Sequence, residues 1–314
     1  MERADLMLEL ADSPIELQRL ISLHASRTPL TTVLEESGTL DSVRIYSSRL
    51  RDHGDAAVIE RNMLSICEQF SPDILQTYLL DECRRHAECA LYVSPGKFFT
   101  KTPLHGMVLY KDDAVQIHYM QVLPSEPRPA TGLETGITVD GADSLILFVK
   151  ATECQYRVFD VETDSCTSPT LSEPIFRSAS SSEHIFLKGG RQGMHLLPQP
   201  HALTMIVCLS NLPRTDATQH FSLKSGSLVG LSAANVEDSR LQVLTTALAS
   251  IPGTGNVEAL INISHHSASF VRWSALRALS SVDADAALKR LTEMKEQDED
   301  AEIRCLAAEC LAEG

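Results

Sequence analysis

Apolar residues recur every three or four positions in the first 94 residues, a spacing typical of amphipathic helices. The segment "SPIELQRLISLH" opens with Ser13 and Pro14, a favourable helix start, and a second Ser-Pro pair stands at Ser71. Helices are predicted at about 13–24, 30–36, 55–69 and 71–93. The pattern therefore predicts a helical N-terminal region over residues 1–94.

Between residues 95 and 230 the period changes to two. Short runs rich in Val, Ile, Leu and Phe, such as "SLILFVK" and "LTMIVCL", alternate with turn-forming Asp, Gly and Ser. Tight turns are predicted at Asp112-Asp113, Asp140-Gly141, Asp164-Ser165 and Gly189-Gly190. Many short strands with no helical pattern between them favour an antiparallel β sandwich or barrel.

Helical periodicity returns in residues 231–314, together with an internal repeat. Arg240, Arg272 and Arg304 are evenly spaced (272 − 240 = 304 − 272 = 32), and "FVRWSALRAL" matches "EIRCLAAECL" around the last two. Helices are predicted at about 238–250, 256–264, 269–281, 285–295 and 300–312. Asn256 and Asp285 are the expected caps. A fixed period in the low thirties predicts stacked helical hairpins with the three arginines in equivalent structural positions.

The chain is therefore predicted to be α+β, with N-terminal helices, a central antiparallel β sandwich or barrel, and C-terminal α-solenoid hairpins. The stretch "FVRWSALRALSSVDADAALKRL" resembles a HEAT repeat, with Val-Arg and alternating Ala and Leu in a first helix and an Asp-containing turn before the second. This resemblance implies that Arg272 and Arg304 tie neighbouring hairpins and that the array binds another protein.

The β region also has a family resemblance. The pair of strands in "SLILFVKATECQYRVFDVET", followed by "IFLKGGRQGMHLLPQPHALTMIVCLSN", resembles the second half of a cupin jelly roll. Metal-binding cupins carry a His-x-His pair and a following Glu, whereas the corresponding stretch 127–144 here contains no histidine. The resemblance therefore implies a cupin-like barrel without the usual metal chemistry.

The charge of the chain narrows the classes of partner. There are 42 acidic and 27 basic residues, a net charge of −15, and no cluster of Lys and Arg, so nucleic acid is not an expected ligand. No apolar run reaches 18 residues, so no membrane span is expected. The acidic N-terminus does not resemble a signal peptide, and the 8 cysteines are scattered, which favours a cytoplasmic protein.

Several histidines fall in the predicted β domain. Because the interior of a jelly roll can hold a small molecule, a ligand pocket is predicted around His118, Tyr156, Arg191, His195 and His201. No metal or other cofactor is expected. The alternative is a divergent, oxygenase-like cupin enzyme in which His118, His195 and His201 bind iron or another divalent metal.

The C-terminal repeats carry the remaining functional hypothesis. Trp273, the only tryptophan, either packs between hairpins or anchors a partner. The array is short for an independent solenoid, so it is expected to bind another protein, with a homodimer as one possibility. The preferred interpretation is a non-catalytic binding or regulatory protein whose repeats contact a partner. Its β domain would then be a ligand-sensing or dimerisation unit.

Overall fold

The computed structural model describes residues 13–51, 54–89, 91–101, 103–124, 136–163, 168–251, 253 and 255–313. Three features of the sequence lie outside these residues: the acidic segment 1–12, the predicted turn Asp164-Ser165, and positions 127–135 of the stretch that lacks histidine.

Five helices precede the first strand in the described part of the chain. They are α1 (Pro14–Ala25), α2 (Leu30–Glu36), α3 (Thr39–Leu50), α4 (Ala56–Cys67) and α5 (Pro72–Glu88). Four of them are predicted from the sequence, whereas α3 is not, because "TLDSVRIYSSRL" is rich in residues of modest helix propensity. Tertiary contacts hold α3 in place: Leu40 and Val43 are buried, and Ser47 donates a 2.6 Å hydrogen bond to Asp112.

Helix α1 differs from the sequence expectation in how it packs. Its apolar stripe is not buried in the described structure, since Ile15 is 81% and Ile21 58% exposed. Polar contacts fix its C-terminal end instead. Arg85 donates to the carbonyl oxygen of Leu23 at 2.7 Å, and Arg27 donates to Glu82 at 2.7 Å.

The central region is entirely built from antiparallel strand pairs in the described residues, as predicted. The strands are β1 (Phe98–Lys101), β2 (Leu104–Lys111), β3 (Val115–Val122), β4 (Gly136–Val139), β5 (Ala142–Lys150), β6 (Cys154–Glu162), β7 (Thr170–Leu171), β8 (Ile175–Ala179), β9 (His184–Leu187), β10 (Gln192–Leu196), β11 (Leu203–Pro213), β12 (Ala217–Ser222) and β13 (Leu228–Ala233). The predicted turns Asp112-Asp113, Asp140-Gly141 and Gly189-Gly190 all connect consecutive strands, but only the first joins two strands that pair with each other.

These strands form three sheets. The first has the order β1-β2-β3-β11-β5-β9, the second contains β10-β6-β7 with β8 also on β6, and the third has the order β13-β12-β4. The second and third sheets meet through Ile137, Val139, Phe159 and Phe221. Gly193 lies at this junction, where a side chain would come within 2.9 Å of Val139.

The first sheet is covered on both faces. On β11, Ile206 and Cys208 belong to a core shared with the N-terminal helices, while Met205 and Val207 belong to a core shared with the second sheet. A strand buried on both sides requires a continuous apolar run, which "LTMIVCL" provides. The N-terminal helices and the β region therefore share one hydrophobic core.

Among the described residues, five helices follow the last strand. They are α6 (Val236–Ser250), α7 (Asn256–Ile263), α8 (Ser269–Val282), α9 (Ala284–Gln297) and α10 (Ala301–Glu313), which agree with the predicted spans to within two residues. The caps differ from the prediction. Asp283, not Asp285, accepts the capping bond of α9, and Asn256 donates to the last carbonyl groups of α6.

Arg272 and Arg304 make the same backbone contacts one repeat apart. Arg272 Nη1 donates to the carbonyl oxygens of His266 and Ser267, and Arg304 Nη1 to those of Asp298 and Glu299. The intervals are identical (272 − 266 = 304 − 298 = 6). Arg240, at the corresponding place in α6, is exposed.

Two further features concern the chain as a whole. None of the helices in the described ranges is both long enough and apolar enough to cross a bilayer. Cys67 on α4 and Cys208 on β11 are fully buried beside each other, and burial raises the pKa of the Cys67 thiol well above its ordinary value.

Candidate functional site: the cavity of the β region

A cavity of about 450 Å³ lies between the first sheet and strands β4 and β10. The pairing of the strands shows the order in which the wall residues follow one another from one end of the cavity to the other. Met120 and Met205 face each other at one end, His118 and Val207 lie in the middle, and the next level along β11 is Leu209, opposite Ser144 on β5. The cavity therefore has an apolar end and a more polar end.

The apolar end is lined by flexible and branched hydrophobic side chains. Leu104, Met120, Met194, Leu196 and Met205 all contribute to this wall. Methionine adapts its shape to irregular ligands, because the side chain is unbranched and its sulfur is polarisable. This end suits an aliphatic or aromatic group with no strict requirement for one shape.

His118 is the buried polar group in the middle of the cavity. Its side chain is 9% exposed, its Nε2 contacts the amide of Gln116, and its ring lies 5.4 Å from that of Phe99. Nδ1 has no hydrogen-bond partner in the described structure. Burial, followed by the positive charge of Lys111, lowers the pKa of His118 and favours the neutral imidazole at neutral pH.

The polar end contains four groups that the sequence analysis did not select: Thr138, Asp140, Ser144 and Gln192. Asp140 follows β4 and opens onto the cavity. The Asp140 residue is exposed, but partial desolvation by the surrounding protein raises the pKa of its carboxyl group, and His220 partly opposes this shift. No donor among the described residues bonds to the Asp140 carboxylate.

A second cavity of about 490 Å³ adjoins this polar end, since Asp140, Ala142 and Leu209 line both. Its wall includes the buried Asp143, which accepts hydrogen bonds from Arg214 Nε at 2.6 Å and from the backbone N–H of Gly189 at 2.9 Å. These bonds fix the two turns at the mouth of the β region.

The structure separates the five residues predicted to form a ligand pocket. His118 lines the cavity, whereas Tyr156 is buried beneath it and lines a different pocket, next to β8. His195 pairs with Arg157 at 3.3 Å, on the face of β10 opposite Met194. Arg191 and His201 are exposed in the connections that flank β10.

The alternative metal site has no support in the geometry. Within the described ranges, no three His, Cys, Asp or Glu side chains come together as a metal would need. Residues His118, His195 and His201 lie respectively in the cavity, on the opposite face of the second sheet and in an exposed connection. These residues do not fit a metal ion, so no metal-dependent step is derived from them.

The C-terminal helices contain a separate groove of about 500 Å³ between α6 and α8, lined by Val243 and Arg277 among others. Trp273 does not line this groove. It is half-buried and packs against the core of the helical region, whose members include Leu276 and Ala307.

No protein-family model matches the sequence. A search of curated proteins likewise finds no significant relative. Solved structures similar to this chain include an RmlC-like cupin from Shewanella frigidimarina, at 8% identity over 38% of this chain and 88% of that chain, with a TM-score of 0.27. A cupin domain from Bordetella pertussis has 10% identity over 36% and 97%, with a TM-score of 0.24.

A third similar structure is Pac13, a nucleoside dehydratase, with 12% identity over 41% of this chain and 88% of that chain and a TM-score of 0.27. At such identities and TM-scores, these likenesses carry no conclusion about ligand or reaction.

Proposed function

We propose that this chain is a non-catalytic binding protein whose β region takes up a small, mainly apolar molecule. The observation that carries the proposal is the cavity of about 450 Å³ with an apolar wall and the buried His118 in its middle. Small-molecule sites commonly combine a concave apolar surface of this size with a few oriented polar groups. His118 and the polar end would orient the ligand.

Filling the cavity is expected to weaken the binding of a neutral apolar dye. Met194→Trp adds bulk from β10 and Ala142→Leu adds it from β5, so each variant should weaken Nile red binding at least about tenfold, equivalent to about 1.4 kcal/mol. Fluorescence titration measures the affinity, and circular dichroism with a thermal melt verifies that each variant is folded.

Arg191→Trp is the matched control for this test. It adds the same aromatic bulk just before β10 but at an exposed position outside the cavity wall. Dye affinity should therefore equal that of the unaltered protein. Equal binding by the control and both cavity variants, or no binding by the unaltered protein, contradicts the proposed function.

A second proposal concerns the C-terminal helices, which we interpret as HEAT-like hairpins that bind a second copy of the chain. One face of α6 is exposed although the equivalent face of α8, one repeat later, is buried. Val243 and Leu244 on α6 are 71% and 46% exposed, whereas Ala275 and Leu276, 32 residues later on α8, are 0% and 5% exposed. In an array of hairpins, this face of the first helix has no preceding hairpin to cover it. Two copies related by a two-fold axis would cover each other here.

This second proposal predicts a dimer that one charge disrupts. Light scattering after size-exclusion chromatography should give the mass of two chains for the unaltered protein and of one chain for Val243→Asp, because the new carboxylate would be buried in the interface. Ser280→Asp, at an exposed position on α8, should remain dimeric. A monomeric unaltered protein, or a dimeric Val243→Asp variant, rules out this interface.

A further inference from the structure

The polar end of the cavity has a negative rather than a positive character. Of the described residues that line the cavity, none is Lys or Arg, and His118 is favoured in its neutral form. Asp140 is therefore the charged side chain of this wall. A ligand group at this end meets one carboxylate together with the hydroxyl and amide groups of Ser144, Thr138 and Gln192.

The adjoining mouth reinforces this character. Lys111 is its basic residue, and it shares the mouth with five acidic residues: Asp112, Asp113, Asp140, Asp143 and Glu237. Asp112 already accepts bonds from Ser47, Tyr110 and two backbone N–H groups. Asp143 is paired with Arg214. Five acidic residues against one basic residue make this mouth unfavourable for a ligand anion, even though Asp112, Asp113 and Asp143 each have a partner.

The Asp140 carboxylate differs from those of Asp112 and Asp143 because no donor of the described residues bonds to it. The carboxylates of Asp112 and Asp143 accept hydrogen bonds from the protein itself, whereas at Asp140 the backbone N–H of Gly190 bonds to the carbonyl oxygen and not to the exposed carboxylate. It lies where the cavity and the mouth meet, since it lines both. An exposed carboxylate at the edge of a cavity attracts a cation, and a primary ammonium group offers three donors in a small volume.

We propose that the ligand is an amphiphilic amine whose ammonium group pairs with Asp140 and whose apolar chain lies against the methionine-lined end. This inference rests on the proposed function of the β region. The hydroxyl groups of Thr138 and Ser144 supply further acceptors for the ammonium group. Because one end of the cavity is apolar and the other carries a carboxylate, such a molecule would bind in one orientation.

Three ligands with the same chain and different head groups test the proposal: octylamine, 1-octanol and octanoate, each measured by displacement of Nile red at neutral pH. Octylamine should bind at least about tenfold more tightly than octanoate, with 1-octanol between them. In Asp140→Asn, octylamine should fall to the affinity of 1-octanol, while 1-octanol itself is unchanged.

Asp216→Asn is the control, because it removes the same charge from an exposed turn outside the cavity wall. It should leave the affinities for all three ligands unchanged. Octanoate binding as tightly as octylamine, or an unchanged amine preference in Asp140→Asn, overturns this inference while dye binding still supports the proposed function. Failure of Nile red and all three ligands to bind overturns both.

Discussion

Replacing Arg272 with alanine is expected to destabilise the C-terminal helices by about 3–5 kcal/mol, the cost of leaving a buried charge without its partner. Arg272 donates from Nε and Nη2 to the two carboxylate oxygens of Asp298, at 3.0 Å and 2.6 Å. Both side chains are nearly inaccessible, at 8% and 2% exposure. The same guanidinium also binds the carbonyl oxygens of His266 and Ser267 before α8, so its removal leaves these acceptors unpaired as well.

Hydrogen exchange followed by mass spectrometry locates this effect. Peptides from α8 and α10 should lose protection in Arg272→Ala, while peptides from β3 and β11 should keep theirs, because the C-terminal helices have a hydrophobic core of their own. Arg304→Ala is the matched control. Arg304 bonds to backbone carbonyl groups and is less buried, so its loss should cost only about 1 kcal/mol.

The pH dependence of the unaltered C-terminal helices follows from the same pair. Although burial alone would raise the pKa of Asp298, the bonds from Arg272 and from the Asp300 backbone lower it. Stability from the pair is therefore complete above the unfolded pKa of aspartate and is lost as pH falls through the lower folded value. Protection of α8 that is insensitive to the Arg272→Ala change would show that the pair contributes little.

Replacing Glu82 with alanine should destabilise the N-terminal helices by a similar amount, about 3–5 kcal/mol. Glu82, on α5, is 5% exposed and accepts bonds from Arg27 at 2.7 Å and from the Tyr92 hydroxyl at 3.0 Å. Arg27 also donates to Tyr78. The carboxylate thus joins the end of α1, helix α5 and the segment leading into β1.

The stability that this network contributes depends on pH in both the acidic and the alkaline range. Burial would raise the pKa of Glu82, but the bonds from Ser94, Arg27 and Tyr92 lower it, so its contribution is lost as the pH falls through the lowered value. Burial, and then the bond to Glu82, raises the pKa of Tyr92 to about 12. The stability that Tyr92 contributes is therefore present at pH values below about 10, the pKa of an unfolded tyrosine, and is lost as the pH rises from about 10 to about 12.

Urea denaturation of Glu82→Ala, monitored across pH, measures these contributions, with Glu88→Ala as control because Glu88 is exposed on the same helix. Absorbance titration of tyrosinate, compared with Tyr92→Phe, isolates the alkaline transition. A stability loss equal to that of Glu88→Ala, or a Tyr92 that titrates near 10, would contradict the assigned role of Glu82.

The fold class could be predicted because each region has its own hydrophobic period. The β turns at Asp112, Asp140 and Gly189 and all five C-terminal helices follow from local signals. Helix α3 could not be predicted in the same way, because its formation depends on contacts such as that between Ser47 and Asp112, 65 residues apart.

The site was harder to predict for a physical reason. Alternating polar and apolar residues show which face of a strand is buried only when one of its faces is polar. Strand β11 is apolar on both faces. The sequence therefore did not indicate whether His118 or its neighbours face the cavity. Thr138 and Ser144 can be noticed in the sequence, because each is a polar residue next to apolar residues of its strand. Asp140 lies in a turn and Gln192 begins a strand, so neither is marked in this way. The side-chain chemistry of His195 and Arg191 suits a ligand pocket, but His195 lies on the face of β10 opposite Met194 and Arg191 is exposed before that strand.

The shared core of the N-terminal helices and β11 sets the order of events during synthesis. Cys67 on α4 packs beside Cys208 on β11, a separation of 141 residues (208 − 67). At roughly 5–20 residues per second, the ribosome needs on the order of 7–28 seconds to make that interval. Until then Met63 and Ile66, fully buried in the finished protein, lack part of the sheet that covers them. Strand β11 lies between β3 and β5 in that sheet, so the burial of the first helices is completed only after β11 has emerged.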